Sequence, residues 1–544
     1  MRWIDRFATA LTLTTTLAAC ACAQDAPDEE QSEPKTLLNR FEIEIPGWSL
    51  NGNRNKFRQY AVTPQGFVFR KIELFSPLTE ETPYGRFGYS GVPGGDQVAD
   101  GRLIMEQGRL DVKIHHARSS FYDPTPLLVD TSHDRDTSVE VSYALTPEVG
   151  AFYRFDERNK KLNYDPPKER TRTYAKRATG GLSGEVLGGQ AEVTLSDYRY
   201  YDQDGGSPDS IHHRFDAAYS RDLGPSLSVQ GAYNRTQIEQ RGLSDSEVKR
   251  WSIGADWYVG PYTSLMLDFR NDKVDMPNVA NSYVRERFMT TARLVHRFQG
   301  AALQLAYKHR EAERLRGDQT FVDVPKWDTY EGRLSGHLGG PLRYTVRGNW
   351  EHMTRGATMV VEDPRALYWD DRVMGQIKID GGVDRFQGYA TYTFRFDQND
   401  PRDVEVRSHN LTVGGHYAFT DRTSAYIEFA TDTYKVSSPP DELGLTLDAF
   451  FPSSTSYAVG FDHAISDRGS LSVAATHYTT RSANPLLVRD ANYRGTEITA
   501  TYSRVLSPDS SFSITYSPWR YTDKLYEQMN YRTTVVGLQY STKF

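Results

Sequence analysis

Beyond Ala23 the chain has no uninterrupted apolar run of about 20 residues, the length a helix needs to cross a bilayer. If the protein spans a membrane, it does so with strands. Cysteine is nearly absent: Cys20 and Cys22 are the only two in 544 residues. Both lie in the N-terminal segment, so the body of the chain can form no disulfide, no thiolate-held metal centre and no covalently attached haem. No Cys-x-x-Cys-His, His-Glu-x-x-His, Walker A loop or Gly-x-Ser-x-Gly occurs, so these signatures nominate neither a cofactor nor an enzymatic activity. Charge of one sign is also lacking. Lys+Arg 64 against Asp+Glu 71 gives a net charge of -7, too small at this length to suggest a nucleic-acid partner or an anionic surface.

Aromatic residues and glycine, by contrast, are plentiful. Tyr (34), Phe (25) and Gly (42) abound although hydrophobic residues make up only 38% and mean hydropathy is -0.62. A globular enzyme packed with Leu and Ile would not read this way. A transmembrane β-barrel does: one residue in two faces lipid, lumen and loops are polar, and aromatic girdles mark both interfaces.

The N-terminus reads as an export signal over residues 1–23, with Arg2 and Arg6 ahead of the apolar stretch Phe7 to Ala19. Two processing routes fit. Ala21-Cys22-Ala23 suits an ordinary signal peptidase before Gln24, and Leu17-Ala18-Ala19-Cys20 suits lipidation of Cys20. Residues 24–38, with Asp25, Asp28, Glu29, Glu30 and Glu33 beside Pro27 and Pro34, are expected to be a disordered acidic leader on the periplasmic side. The barrel is expected over 39–544.

The last strand shows the pattern best. Thr534, Val536, Leu538, Tyr540, Thr542 and Phe544 share one face, and Thr533, Val535, Gly537, Gln539, Ser541 and Lys543 share the other. A terminal aromatic preceded by apolar residues at alternate positions, here Leu538, Tyr540 and Phe544, resembles the signal read by the outer-membrane barrel assembly machinery. Upstream, Ile253/Ala255/Trp257/Val259 alternate with Ser252/Gly254/Asp256/Tyr258, and Leu265/Leu267/Phe269 with Ser264/Met266/Asp268/Arg270. Arg and Asp would be costly against lipid, so their register assigns them to a wet lumen.

Compact Gly, Pro and Asp turns recur: Thr146-Pro147-Glu148, Gly188-Gly189, Leu223-Gly224-Pro225, Gly260-Pro261, Gln299-Gly300, Gly339-Gly340-Pro341, Thr420-Asp421-Arg422, Asp467-Arg468-Gly469 and Ser507-Pro508-Asp509. Others are expected near Pro64-Gln65-Gly66, Gln107-Gly108 and Gly382-Val383. The spacing fits pairs of tilted strands of about 10 residues with a longer polar loop between them. Loops are expected over Glu157 to Arg170, Asp202 to Ser210, Asn271 to Ser282, Asp397 to Asp403 and Ser437 to Ser454. About 12 turns make an all-β, antiparallel, up-and-down barrel of about 26 strands, with 24 or 22 allowed by weak signals between Tyr84 and Met105. Short turns would be periplasmic and long loops extracellular, in the outer membrane of a Gram-negative bacterium.

One local motif goes beyond barrel physics. Phe41-Glu-Ile-Glu-Ile-Pro-Gly-Trp-Ser-Leu-Asn-Gly-Asn-Arg-Asn-Lys-Phe-Arg-Gln-Tyr60 resembles the opening of the MtrB/PioB family of decahaem-cytochrome-associated outer-membrane proteins. Gly52, Asn53, Lys56, Phe57, Gln59 and Tyr60 carry the match. The resemblance covers about 20 residues in motif and the mature chain in architecture only. The Cys-x-x-Cys that some members carry near the N-terminus has no counterpart here. The resemblance implies a sheath rather than an enzyme: a barrel that threads a periplasmic multihaem cytochrome through the outer membrane, with an extracellular multihaem cytochrome on the loops and all haem carried by those partners.

Other constellations are weak. Adjacent His115-His116 and His212-His213 would point to opposite faces of a strand and make poor chelating pairs. Asp202, Asp204 and Asp209 around Gly205-Gly206 lack EF-hand spacing. Tyr198-Arg199-Tyr200-Tyr201 reads as girdle and lumen lining. The alternative to the sheath is a general or substrate-specific diffusion porin, although no inward-folded constriction loop stands out.

Overall fold

The computed structural model describes residues 39–60, 67–76, 84–91, 97–105, 108–122, 131–163, 170–203, 209–277, 283–315, 321–323, 325–354, 369–400, 403–439, 451–481 and 492–544. The signal segment, the acidic leader, Cys20 and the turn expected at Pro64-Gln65-Gly66 lie outside them.

Strands with one apolar and one polar face cannot satisfy their backbone groups alone, and here each pairs with its neighbours. Strands β1 to β27, numbered in chain order, form one antiparallel sheet. The sheet closes on itself because β1 (Arg40–Gly52) pairs with β27 (Tyr531–Lys543) over its whole length, from Arg40 opposite Lys543 to Gly52 opposite Tyr531. A three-residue strand, β16 (Phe321–Asp323), pairs with the end of β15 (Ala301–Leu315) outside the main ladder, and β15 pairs directly with β17 (Lys326–Gly339). The wall is thus a closed 26-strand antiparallel barrel.

Both chain ends of the described barrel meet at the rim that carries the short turns. There, the Asn39 N–H donates to the Phe544 carbonyl at 3.1 Å and the Phe544 N–H to the Asn39 carbonyl at 3.0 Å. The face alternation read from sequence holds. Ile253 (60% exposed) and Ile427 (63%) stand on an outer surface also carrying Leu267, Ile377, Val536 and Leu538. Such a belt suits lipid, and the opposite face of the wall carries ion pairs such as Arg214–Asp216 and Arg270–Asp272.

Several boundaries differ from expectation. Most strands run 13 to 17 residues, for example β7 (Val149–Asn163) and β8 (Arg170–Val186). Glu157 to Asn163 therefore belongs to a strand, as do Asn271 to Asp275 and Asp397 to Asn399, all expected to be loop. Only about 9–11 residues need cross the bilayer, and strands continue above it as polar ribbons because pairing with a neighbour satisfies the backbone whatever the side chains. Gly382 and Val383 end β19 (Asp371–Val383), and the turn falls at Asp384-Arg385 instead.

The wall is uneven near its start. β2 (Val68–Ser76), β3 (Tyr84–Gly91) and β4 (Gln97–Met105) are short. β2 pairs only with Arg40 to Glu44 of β1, and β4 reaches only Arg118 of β5 (Leu110–Tyr122). A seven-residue helix, α1 (Arg54–Tyr60), follows β1 and approaches both β27 and β5 at this notch.

Candidate functional site

The motif residues of the first strand build a latch at the closing seam. Gly52 has φ +109, and a Cβ there would overlap the Asn530 carbonyl, so a side chain is excluded both by conformation and by space. The chain then turns inward. Asn53 caps α1: its Oδ1 accepts from the Lys56 N–H at 2.8 Å, and its Nδ2 donates to the Gln528 carbonyl at 3.0 Å. Its own N–H donates to the Asn530 carbonyl at 2.9 Å. One asparagine thus starts the helix and ties it to the connection before β27. Gln59 and Tyr60 complete the helix backbone.

Phe57 enters the largest buried apolar cluster among the described residues, with Tyr493, Tyr521, Met529 and Tyr531. Rings run continuously along the lumen side. Tyr478 meets Tyr493 at 5.7 Å, Tyr493 stacks on Tyr521 at 5.3 Å, and Tyr521 on Tyr531 at 5.6 Å. Phe57 then bridges Tyr531, Trp519 and Trp48 at 5.7, 5.7 and 5.8 Å. Lys56, 1% exposed, places its ammonium 4.8 Å from the Tyr521 ring centre. Four of the motif residues are therefore seam structure: they fasten the first strand to the last four.

Elsewhere the lumen face is ionic. Arg214 holds Asp216 through two hydrogen bonds of 2.7 and 2.8 Å, and Asn234 and Thr194 also donate to that carboxylate. Arg270 holds Asp272 at 2.9 and 3.1 Å. Asp397, its side chain 5% exposed, sits between Arg395 at 2.8 Å and Arg372 at 3.2 Å. Arg310 lies 4.2 Å over Trp327. A groove of about 940 Å³ follows this wall and is lined by Arg154, Arg177, Arg214, Arg250 and Arg270 among others.

The histidine pairs divide as expected. His115 contacts Asp100 at 2.5 Å on the lumen face while His116 contacts Thr137 at 2.8 Å on the outer face. His212 is 3.0 Å from Ser210 and His213 is 3.2 Å from Asp197. Tyr198 and Tyr200 face the lumen, Arg199 and Tyr201 the outside. No group of three metal-ligating side chains assembles among the described residues. The Leu538, Tyr540 and Phe544 side chains lie on the outer face of β27, with Phe544 66% exposed.

No family model matches the chain, and no curated protein matches it. Solved structures do resemble it. The FrpB iron transporter from Neisseria meningitidis aligns with TM-score 0.50 and 8% identity over 93% of this chain and 81% of that one. The siderophore receptor PirA from Pseudomonas aeruginosa gives 0.47 and 9% over 94% and 81%. The alcaligin receptor FauA from Bordetella pertussis gives 0.45 and 12% over 95% and 77%. At such identities the likeness is one of fold.

Proposed function

We propose that the chain is an outer-membrane sheath that holds a periplasmic multihaem c-type cytochrome in its lumen, forming an electron conduit across the outer membrane of a Gram-negative bacterium. The observation that carries this reading is the size of the lumen. A closed wall of 26 strands measures roughly 50 Å between opposite backbones if round, and side chains narrow the passage to about 40 Å. Among the described residues α1, the turn at Glu527–Met529 and Phe451, against Tyr434, fold against its inner side. A hole of that width would leak solutes without selection, which favours an occupant, and a soluble protein is of the right size.

The Gly52 to Phe57 segment supports the choice of occupant, because its resemblance is to barrels that sheathe cytochromes. The chain has no Cys-x-x-Cys-His, so every haem belongs to the partner. The barrel contributes no reacting group. It excludes lipid, orients the partner through its polar lumen and offers its long-loop rim, outside the cell, to a second multihaem cytochrome. The short-turn rim, with Asn39 and Phe544, faces the periplasm, where the assembly machinery would read Leu538, Tyr540 and Phe544. A diffusion porin is the competing reading, favoured by the ion-pair ladders of the lumen, which would suit a water-filled passage.

Purification from native outer membranes followed by a haem stain and electron transfer across proteoliposomes separates the two. Co-purifying haem with transmembrane electron transfer supports the sheath. A haem-free native protein that conducts ions supports the porin.

A further inference from the structure

The lumen is polarised in charge. On one half of the wall, β7 through β20 (Phe386–Asn399), the lumen-facing rows carry Arg154, Arg177, Arg214 and Arg250, then Arg287 and Arg310. Arg333, Arg347, Arg372 and Arg395 continue the series. From β21 (Val404–Thr420) through β27 and into β1, the rule reverses. The basic strand residues, Arg407, Lys435, Arg494 and Arg520 among them, fall on the outer face, and only Lys543 and Arg40 face inward, at the turn rim. The lumen face there carries Glu428, Asp432, Asp462 and Glu497. Helix α1 adds Arg54 and Lys56 on that side, each over an aromatic ring.

Many arginines of the basic half are matched by carboxylates, but Arg293 and Arg297 have no ion pair among the described residues, and two further unpaired arginines face each other directly. Arg333 on β17 stands directly opposite Arg347 on β18 (Leu342–Thr354), with Gln304 and Gln376 as their outer neighbours. Like charges directly opposite on adjacent strands oppose folding. Neither arginine has an ion pair among the described residues; Arg347 donates a hydrogen bond of 3.9 Å to the Met374 thioether, and both side chains are open to the lumen. The same half carries four of the nine methionines on the lumen side of its strands: Met266, Met289 and Met374, and Met353, which is buried against Ala312 and Trp327. Met289 lies between Arg270 and Arg310, and Met374 opposite Arg395. A water-filled ion path gains nothing from methionine. Arg and Met interleaved are what protein interfaces favour, the charge for register and the thioether for adaptable packing.

We infer that the β7–β20 half of the lumen is the seat of a soluble protein presenting an acidic flank, with Arg333 and Arg347 as its uncompensated anchor pair. This rests on the sheath reading and adds to it which side of the occupant faces which side of the wall. The occupant's opposite flank, against the acidic and hydroxyl-rich arc from β21 to β1, is correspondingly poor in carboxylates.

The test uses the full barrel in native membranes, comparing wild type with R333Q/R347Q, R333E/R347E and, on the opposite arc, T412E/S472E. Heat-modifiable gel mobility confirms that each barrel is folded. Occupant per folded barrel should drop roughly tenfold or more in R333E/R347E, less in R333Q/R347Q, and stay near wild type in T412E/S472E. A photo-cross-linker in place of Gln376 should capture an Asp- and Glu-rich stretch of the occupant. Full occupancy in R333E/R347E, or a cross-link to a neutral or basic stretch, would overturn the seat while leaving the sheath intact. A wild-type barrel without any protein occupant would overturn both. If such an empty barrel prefers anions and R333E/R347E reverses the preference, the arginines serve a pore for small anions instead.

Discussion

Phe57 rests edge-on against Tyr531 with ring centres 5.7 Å apart, joining the helix after the first strand to the start of the last. Both are buried, Phe57 at 1% and Tyr531 at 5% exposure. Barrel closure thus has a side-chain fastening in addition to the backbone ladder between β1 and β27. Phe57→Ala would leave a cavity in the largest apolar cluster among the described residues and should destabilise the barrel by about 3 kcal/mol, read as a lower urea midpoint of the purified protein. An unchanged midpoint would mean that the helix is an ornament on a wall that closes without it.

A second prediction concerns glycines under rings. Tyr478 lies across Gly495 of the next strand, directly opposite in register, and Tyr426 lies across Gly460 in the same way. A methyl group at Gly495 would overlap the Tyr478 ring. Gly495→Ala should cost about 1–3 kcal/mol, and combining it with Tyr478→Ala should cost less than the sum of the two single changes. Strict additivity in that double-mutant cycle would refute the packing account.

Asp397 is shared by Arg372 and Arg395, which are themselves 38% and 46% exposed. Removing its charge in Asp397→Asn should destabilise by about 1–2 kcal/mol, solvent screening of the arginines keeping the loss below that of a fully buried pair. Chemical denaturation of the variant at two salt concentrations checks this. The loss should shrink as salt rises.

The proposed assembly-signal role of Phe544 can be tested apart from stability. Its backbone pairs with Asn39, but its ring is 66% exposed and fills no cavity. Deleting Phe544 should sharply reduce the barrel found in outer membranes, while barrel refolded in detergent should unfold near the wild-type midpoint. Equal membrane yield would remove the assembly-signal role; a large fall in stability would make the residue structural.

The strand pattern was legible because a period of two with lipid on one side leaves a mark in each strand: Ile253 and Trp257 outward, Gly254 and Asp256 inward. Turns were legible where Gly or Pro enforces them, as at Leu223-Gly224-Pro225. Strand ends above the bilayer were not, because Glu157 to Asn163, with water on both sides, have no apolar row. Helix α1 was missed although Asn53 is a good cap, since Asn51-Gly52-Asn53 reads equally well as a hairpin turn. The uncompensated pair Arg333 and Arg347 needs register across neighbouring strands, which no single strand reveals.

The sheath account requires that the lumen be filled in the native assembly. Planar-bilayer conductance of the complex as extracted, compared with the same barrel after its occupant is stripped, tests this most directly. The account predicts a native complex almost silent to ions and a stripped barrel with one large, steady conductance. Large conductance from the native protein, unchanged by stripping, would contradict it.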